Sequence, residues 1–272
     1  MTSIANPIPA IGLGTFGRTG DTGMASILAA FDIGYRHIDT AQSYNSEVPV
    51  GDAFRRSGLP REQVFITTKV ADTKLDKASF MPSVETSLEA LGLDHIDLLL
   101  IHWPSQNNAV PFEDYMTELK RAQDLGRTRF IGVSNFPIAL LEQTRSLLGE
   151  GAIVTNQVEI HPYLQAPRIS NYARSIGLPL TAYQPLAQGD VRSDPVLAGI
   201  AKHHGVTPAA IALAFLIAEG HAVIPASSNA INLRENRRSV DVRLSGDEME
   251  QIRALNRGER RINPAKSPRW DD

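Results

Sequence analysis

Residues 96–102 read Ile96-Asp97-Leu98-Leu99-Leu100-Ile101-His102. Side chains along a strand point alternately to its two faces, so a run that is aliphatic at odd and even positions alike belongs to a strand covered on both sides. Such strands form parallel sheets whose crossover helices pack outside them. Working outward, similar short aliphatic or β-branched runs fall at residues 12–15, 36–39, 65–70, 129–133, 154–158, 180–183 and 222–225, which with 96–102 makes eight. Between them lie amphipathic helical patterns, among them 24–31, 79–91, 112–123, 138–147 and 168–175. Thr207-Pro208 reads as an N-cap followed by proline at the first helical position, and Ser245 with Glu248 as a capping box. Gly92, Gly126 and Gly177 follow the ends of helical runs, where a left-handed residue closes a helix. Strand and helix alternating in this way predict a (β/α)8 TIM barrel of the α/β class, with an open doubly wound sheet as the alternative.

The chain of 272 residues fits one such barrel, and no linker or low-complexity tract divides it, so residues 1–272 are read as a single domain with a short C-terminal tail over the active-site face. Cysteine is absent, which excludes disulfides, thiolate metal sites and a cysteine nucleophile. The formal net charge of -3 argues against a general nucleic-acid partner. Residues 1–14 lack a charged segment followed by a long apolar one, and the longest apolar run, 209–218, is shorter than the roughly 18 residues of a membrane span. A cytoplasmic protein with no membrane partner is therefore expected, and because the surface-helix patterns show no extra apolar face, a monomer.

In a barrel of this kind the chemistry sits at the C-terminal ends of the strands. The polar residues there are Asp39 with Thr40 and Tyr44 after the second strand, Lys69 on the third, His102-Trp103 after the fourth and Ser134-Asn135 after the fifth. The sixth adds Asn156, Gln157, Glu159 and His161, and the seventh Tyr183-Gln184. Singly, each has an ordinary structural explanation; aspartate, tyrosine, lysine and histidine converging on one mouth point to chemistry. Carbonyl reduction needs a hydride and a proton donor for the developing alkoxide. A phenol, with a pKa of about 10, is a weak acid at neutral pH. A lysine ammonium about 4 Å away would favour the phenolate by about 4 kcal/mol, or roughly three pKa units before desolvation is subtracted. An aspartate would hold that lysine charged, a histidine would orient the carbonyl, and the hydride would come from a cofactor.

The segments GLGTF (12–16), GYRHIDTAQSY (34–44), ITTKV (66–70), DLLLIHWP (97–104), GVSNF (132–136), NQVEIHP (156–162), AYQPL (182–186) and VIPAS (223–227) together resemble the aldo-keto reductase family over nearly the whole chain. Small bacterial members, reductases of keto-sugars or small aldehydes, are the most similar. The resemblance implies a catalytic tetrad of Asp39, Tyr44, Lys69 and His102, with Tyr44 as general acid. It implies that Ser134, Asn135 and Gln157 hold a nicotinamide carboxamide and that Tyr183 stacks on the nicotinamide ring. Gly14, Thr15, Gln184, Leu186, Gln188, Ala226, Ser227, Ser228, Glu235 and Asn236 would complete the cofactor site, and Phe16 and Trp103 would wall the pocket for a small carbonyl substrate. The family implies NADP(H), but Ala226 and Asn232 stand where cations commonly meet the 2′-phosphate, which opens NAD(H); Arg234, Arg237 and Arg238 are candidate substitutes. Ser46 replaces a common asparagine, a change expected to touch loop packing. The segment 104–111 and the tail are short, which implies an open pocket.

Other readings compete. Gly12, Gly14 and Gly17 form GxGxxG with Asp39 further on, as in a Rossmann dehydrogenase, but the two prolines of residues 6–11 make a poor central strand before it. Adjacent His203 and His204 on a helix point in different directions, and His95 and His102 lie at opposite ends of one strand, so no metal site is expected. A cofactor-binding regulatory protein with little turnover would have a broken tetrad, and all four positions are intact. A barrel hydrolase would need a second well-placed carboxylate beside Asp39, for which only Glu159 is available.

Overall fold

The aliphatic run that opens the reading is the fourth strand, held between the third and the fifth. The computed structural model describes residues 6–271. The expectation for the start of the chain therefore lies, for residues 1–5, outside the described residues. In chain order the elements are β1 (Leu13–Gly14), α1 (Gly20–Ile33), β2 (His37–Asp39), α2 (Glu47–Ser57), β3 (Phe65–Val70), α3 (Phe80–Leu91), β4 (Ile96–Ile101), α4 (Phe112–Asp124), β5 (Thr128–Ser134) and α5 (Ile138–Leu148). They continue with β6 (Asn156–Glu159), α6 (Pro167–Ser175), β7 (Leu180–Tyr183), α7 (Pro195–His204), α8 (Pro208–Ala218), β8 (Ala222–Val223), α9 (Ala230–Arg237) and α10 (Gly246–Arg253).

The eight strands pair in parallel in sequence order. The ring closes where Ile11 bridges Val223 in parallel, with Gly12 N–H donating to Val223 O at 2.8 Å and Gly14 N–H to Pro225 O at 3.0 Å. This is the expected barrel, and it rules out both the open sheet and the Rossmann alternative. Gly12 and Gly14 serve the barrel interior: a Cβ at Gly12 would lie 2.5 Å from the His37 ring, and one at Gly14 2.9 Å from Ile224 O. Only glycine leaves room there.

The two faces of each strand separate the core into two parts. Ile38, Ile66, Val70, Leu99, Ile101, Ile131 and Val133 face outward and join the aliphatic faces of the helices. Phe65, Leu98, Leu100 and Ala222 point inward with Ile8, Phe130 and Val154, and plug the lower barrel. This explains why β4 is aliphatic at successive positions. His37 lies in the same interior, with Nε2 3.0 Å from Thr67 Oγ1 and its ring edge-on to Phe65.

The strand positions agree with the sequence reading to within one or two residues at most ends. Helix α1 starts four residues earlier than the amphipathic pattern, and α2 was not among the helices read, because Pro49 and Gly51 interrupt its pattern. The caps are as read: Thr207 Oγ1 accepts Ala210 N–H, Ser245 and Glu248 form the capping box, and Gly92, Gly126 and Gly177 have φ of 65°, 71° and 68°. The long apolar run 209–218 is the buried body of α8. Among the described residues no single helix is long and apolar enough to cross a membrane.

Burial holds the His37 imidazole neutral, lowering its pKa to about 4 against an opposing pull from Asp39. A histidine titrating near 6.5 when unfolded and lower when folded stabilises the fold fully above 6.5 and loses that contribution as pH falls through the folded value. Denaturant unfolding measured from pH 7.5 to 4 should show stability flat above about 6.5 and falling below it, with His37 contributing up to about 3 kcal/mol. A His37→Asn variant should have a shallower slope in that window.

Candidate active site

The uppermost inward positions of six strands meet at the C-terminal mouth of the barrel. Lys69 from β3 is fully buried; its ammonium is paired with the Asp39 carboxylate of β2 and donates to Thr40 O at 2.8 Å. The other Asp39 oxygen accepts Gln157 Nε2–H from β6 at 2.7 Å. Tyr44 sits on a single 3-10 turn after β2, ended by Asn45 in the left-handed region at φ 55°. That turn lays its ring 5.0 Å from Lys69 Nζ and its hydroxyl 3.4 Å from His102 Nε2. Ser43 Oγ lies 3.3 Å from the opposite imidazole nitrogen, Nδ1. Asn135, itself at φ 63°, donates to His102 O at 3.0 Å and accepts the Tyr183 hydroxyl at 2.9 Å, while Ser134 Oγ donates to Gln157 O at 2.8 Å. Ser46 is buried between Thr15 and Thr40, with hydroxyl contacts of 2.9 and 2.8 Å, and packs the loop that carries Tyr44.

Each titratable group has a preferred charge state. Burial lowers the Lys69 pKa, but Asp39 and then Tyr44 more than offset it, so the ammonium is held charged above its ordinary range. His102 is pushed well below its ordinary pKa by burial and then by the charges of Lys69 and Lys266, so its imidazole is neutral. The lowered pKa expected for Tyr44 beside Lys69 is corrected: burial outweighs the lysine, and the phenol titrates above its ordinary value. The resting hydroxyl keeps its proton, with the Lys69 charge opposing but not cancelling the effect of burial.

These groups open into a cavity of about 600 Å³. Gly14, Thr15, Phe16, Asp39, Tyr44, His102, Trp103, Ser134, Asn135, Gln157, Tyr183, Gln184, Leu186, Gln188 and Ala226 all border it, while Lys69 lies beneath. Ser227, Ser228, Glu235 and Asn236 do not line it: Ser227 Oγ accepts Asn229 N–H at 3.1 Å, Glu235 pairs with Arg238 at 3.2 Å, and Asn236 is buried within α9. Three cations border the cavity that the sequence reading did not single out: Arg18, Arg192 and Lys266. Among the described residues, Arg18 Nε is buried with no hydrogen-bond partner, and Arg18 Nη1 donates to Phe16 O. Arg18 and Arg192 could have been found, because each lies in a loop after a strand end. Lys266 could not, because nothing in the tail sequence shows where it folds back.

Comparison with known proteins is consistent with this arrangement. A profile described as the aldo/keto reductase family matches residues 10–257, from the strand that closes the barrel to just beyond α10. This chain belongs to that family. The aldo/keto reductase is 42% identical to methylglyoxal reductase DkgB of Salmonella typhi over 265 residues, covering 97% of this chain and 99% of the relative. Its fold matches the crystal structure of a putative 2,5-diketo-D-gluconic acid reductase B with a TM-score of 0.93 at 38% identity, covering 100% of this chain and 97% of the other. It also matches the aldose reductase of Schistosoma japonicum with a TM-score of 0.90 at 30% identity, covering 96% and 95%. Family and relatives together support carbonyl reduction as the reductase's chemistry.

One expectation about the histidines is corrected. His203 and His204 do not diverge: in the last turn of α7 both rings reach a single oxygen of Glu248, at 3.2 and 2.9 Å. The carboxylate belongs to α10 and lies 44 residues further along the chain, so adjacency within α7 did not reveal it.

The tail lies over the active-site face of the reductase and is fixed by several contacts from the barrel. Glu159, at the end of β6, accepts the backbone N–H groups of Arg261 at 2.6 Å and Ile262 at 2.9 Å. Lys266 pairs with Asp72 at 2.6 Å. Asp271 accepts Ile138 N–H at 2.7 Å and caps α5, whose own N-cap, Pro137, offers no side-chain acceptor. Trp270 packs edge-on against Trp103. Glu159→Ala should leave two backbone donors without acceptors and free the tail. Limited trypsin digestion should then cut after Arg260 and Arg261 about tenfold faster than in the wild type, given that a hydrogen bond to a charged group contributes about 1.5–3 kcal/mol.

Proposed function

We propose that this aldo/keto reductase reduces an aldehyde or ketone to an alcohol with a nicotinamide cofactor, and that Tyr44 donates the proton. The observation that carries this reading is the Tyr44 hydroxyl, 3.4 Å from the His102 ring and backed by the buried Lys69–Asp39 pair. The lining also suits the cofactor. Arg18, with its orphaned buried Nε, and Arg192 offer positive charge to a diphosphate. Ser134, Asn135 and Gln157 offer the amide and hydroxyl groups that a carboxamide would need, beside the Tyr183 ring. When bound, the reduced nicotinamide supplies the hydride.

The remaining steps belong to the chain. With the Ser43 hydroxyl donating to His102 Nδ1, Nε2 carries the proton and can hold a carbonyl oxygen beside Tyr44. A neutral imidazole suits this task, because it donates without adding a second positive charge near Lys69. As negative charge grows on the carbonyl oxygen, Tyr44 releases its proton to it. Lys69 then faces a phenolate, and the Asp39 carboxylate keeps that lysine fixed. Phe16 and Trp103 border the same space and exclude water from the reacting oxygen.

The 2′-phosphate contact separates NADPH from NADH. Ala226 borders the cavity and offers no charge, and Arg238 is committed to Glu235 and to Gly205 O at 2.9 Å. That leaves the exposed Arg234 of α9 as the nearer substitute by sequence, and the two cofactors less strongly discriminated than where both family cations are present.

Tyr44→Phe should lower kcat by a factor of about 10² to 10⁴, the usual contribution of a positioned acid, with cofactor binding, followed by fluorescence quenching, retained. Full activity in that variant would remove Tyr44 from the mechanism. Ala226→Arg should tighten NADPH about tenfold and leave NADH nearly unchanged, because a charge-assisted bond to phosphate contributes about 1.5–3 kcal/mol. Equal changes in the two dissociation constants would put the 2′-phosphate elsewhere.

A further inference from the structure

We propose that His203, His204 and Glu248 form a binding site for a borderline divalent metal ion, zinc foremost, that joins the end of α7 to the start of α10. None of the three lines the active-site cavity, and the carbonyl chemistry has no use for them. Their ligand atoms lie within 4.8 Å of one another, so one ion at the middle reaches all three with small side-chain adjustments. His203 Nδ1 and His204 Nε2 already converge on the same oxygen, Glu248 Oε1. Two imidazoles and one carboxylate are the donors that zinc and its neighbours in the transition series select, whereas calcium and magnesium require oxygen shells.

The surroundings favour an ion over a chance meeting of side chains. Glu248 Oε2 accepts the Ser245 N–H of the capping box at 2.8 Å, which fixes the carboxylate and leaves Oε1 turned to the histidines. Outer-shell bonds of this kind orient metal ligands. Both histidines lie in the last turn of α7, where the helix dipole favours positive charge. The His203 side chain is 79% exposed and that of His204 19%, which gives an entry path and leaves the remaining coordination positions to water. With three protein ligands and no thiolate, the expected affinity is weaker than that of four-ligand structural zinc sites.

The test uses the full chain, stripped with a chelator and titrated with zinc chloride at neutral pH by calorimetry. Cobalt(II) absorption gives the coordination geometry. One equivalent of zinc should bind, and at a hundredfold excess over Kd the melting temperature should rise by about 5 °C. The double variant His203→Asn/His204→Asn leaves the capping box intact and should weaken zinc at least about a hundredfold, the upper range seen when even an outer-shell partner is lost. Glu248→Gln should weaken it as well, but the histidine pair decides, because Glu248 also caps α10. Absence of saturable binding, or the same single equivalent in the histidine variant, would overturn the proposal.

Discussion

A lysine with no exposed surface stands at the centre of this barrel, and the geometry of the mouth follows from keeping it charged. Removing an ammonium from water costs several kcal/mol unless paired and hydrogen-bonded groups compensate it. Lys69 has both, in the Asp39 carboxylate and the Thr40 carbonyl, and Gln157 from across the barrel saturates the second Asp39 oxygen. Three strands are thereby tied at their C-terminal ends by one ionic network. The Tyr44 turn closes over that network, where burial raises the pKa of the phenol and the Lys69 charge opposes the rise. Structure and chemistry share the same pair: without Lys69 the Asp39 carboxylate would be buried and uncompensated, and without Asp39 the lysine would shed its proton to escape burial.

The tail closes the other side of the mouth by a different physical route. It has no regular structure after α10, so its position rests on discrete bonds from the barrel, among them Glu159 to two backbone amides, Asp72 to Lys266, and the α5 amide to Asp271. Each of these anchors sits at or just beyond the C-terminal end of a strand, which ties the tail to the same face as the cavity. Glu159, read from the sequence as a lone strand-end acid, turns out to be a tether, with His161 and the tail amides saturating it.

Much of this was legible in the sequence. The strands appeared because burial on both faces demands continuous aliphatic runs, and the helix ends because caps and left-handed glycines are local chemistry. The convergence of Asp39, Lys69 and His102 was legible because a barrel puts strand ends at one mouth, so they were bound to meet once the strands were found. Helix α2 was hidden because Pro49 and Gly51 blur its periodicity while contacts with its neighbours sustain it. The direction of the Tyr44 shift was misjudged because a charge pair can be counted from sequence, but the amount of solvent excluded around a phenol cannot.

The sequence by itself determined the eight-fold alternation, the inward identity of the strand-end residues and the absence of any thiol chemistry, since each depends on residue type and local spacing. Only the tertiary structure decided that the tail folds back to add Lys266 to the cavity and that His203 and His204 converge on Glu248. Those contacts join residues tens to hundreds of positions apart through loops and helix ends. The only constraint on them is how packed elements bring their termini together, and no periodicity along the chain records that.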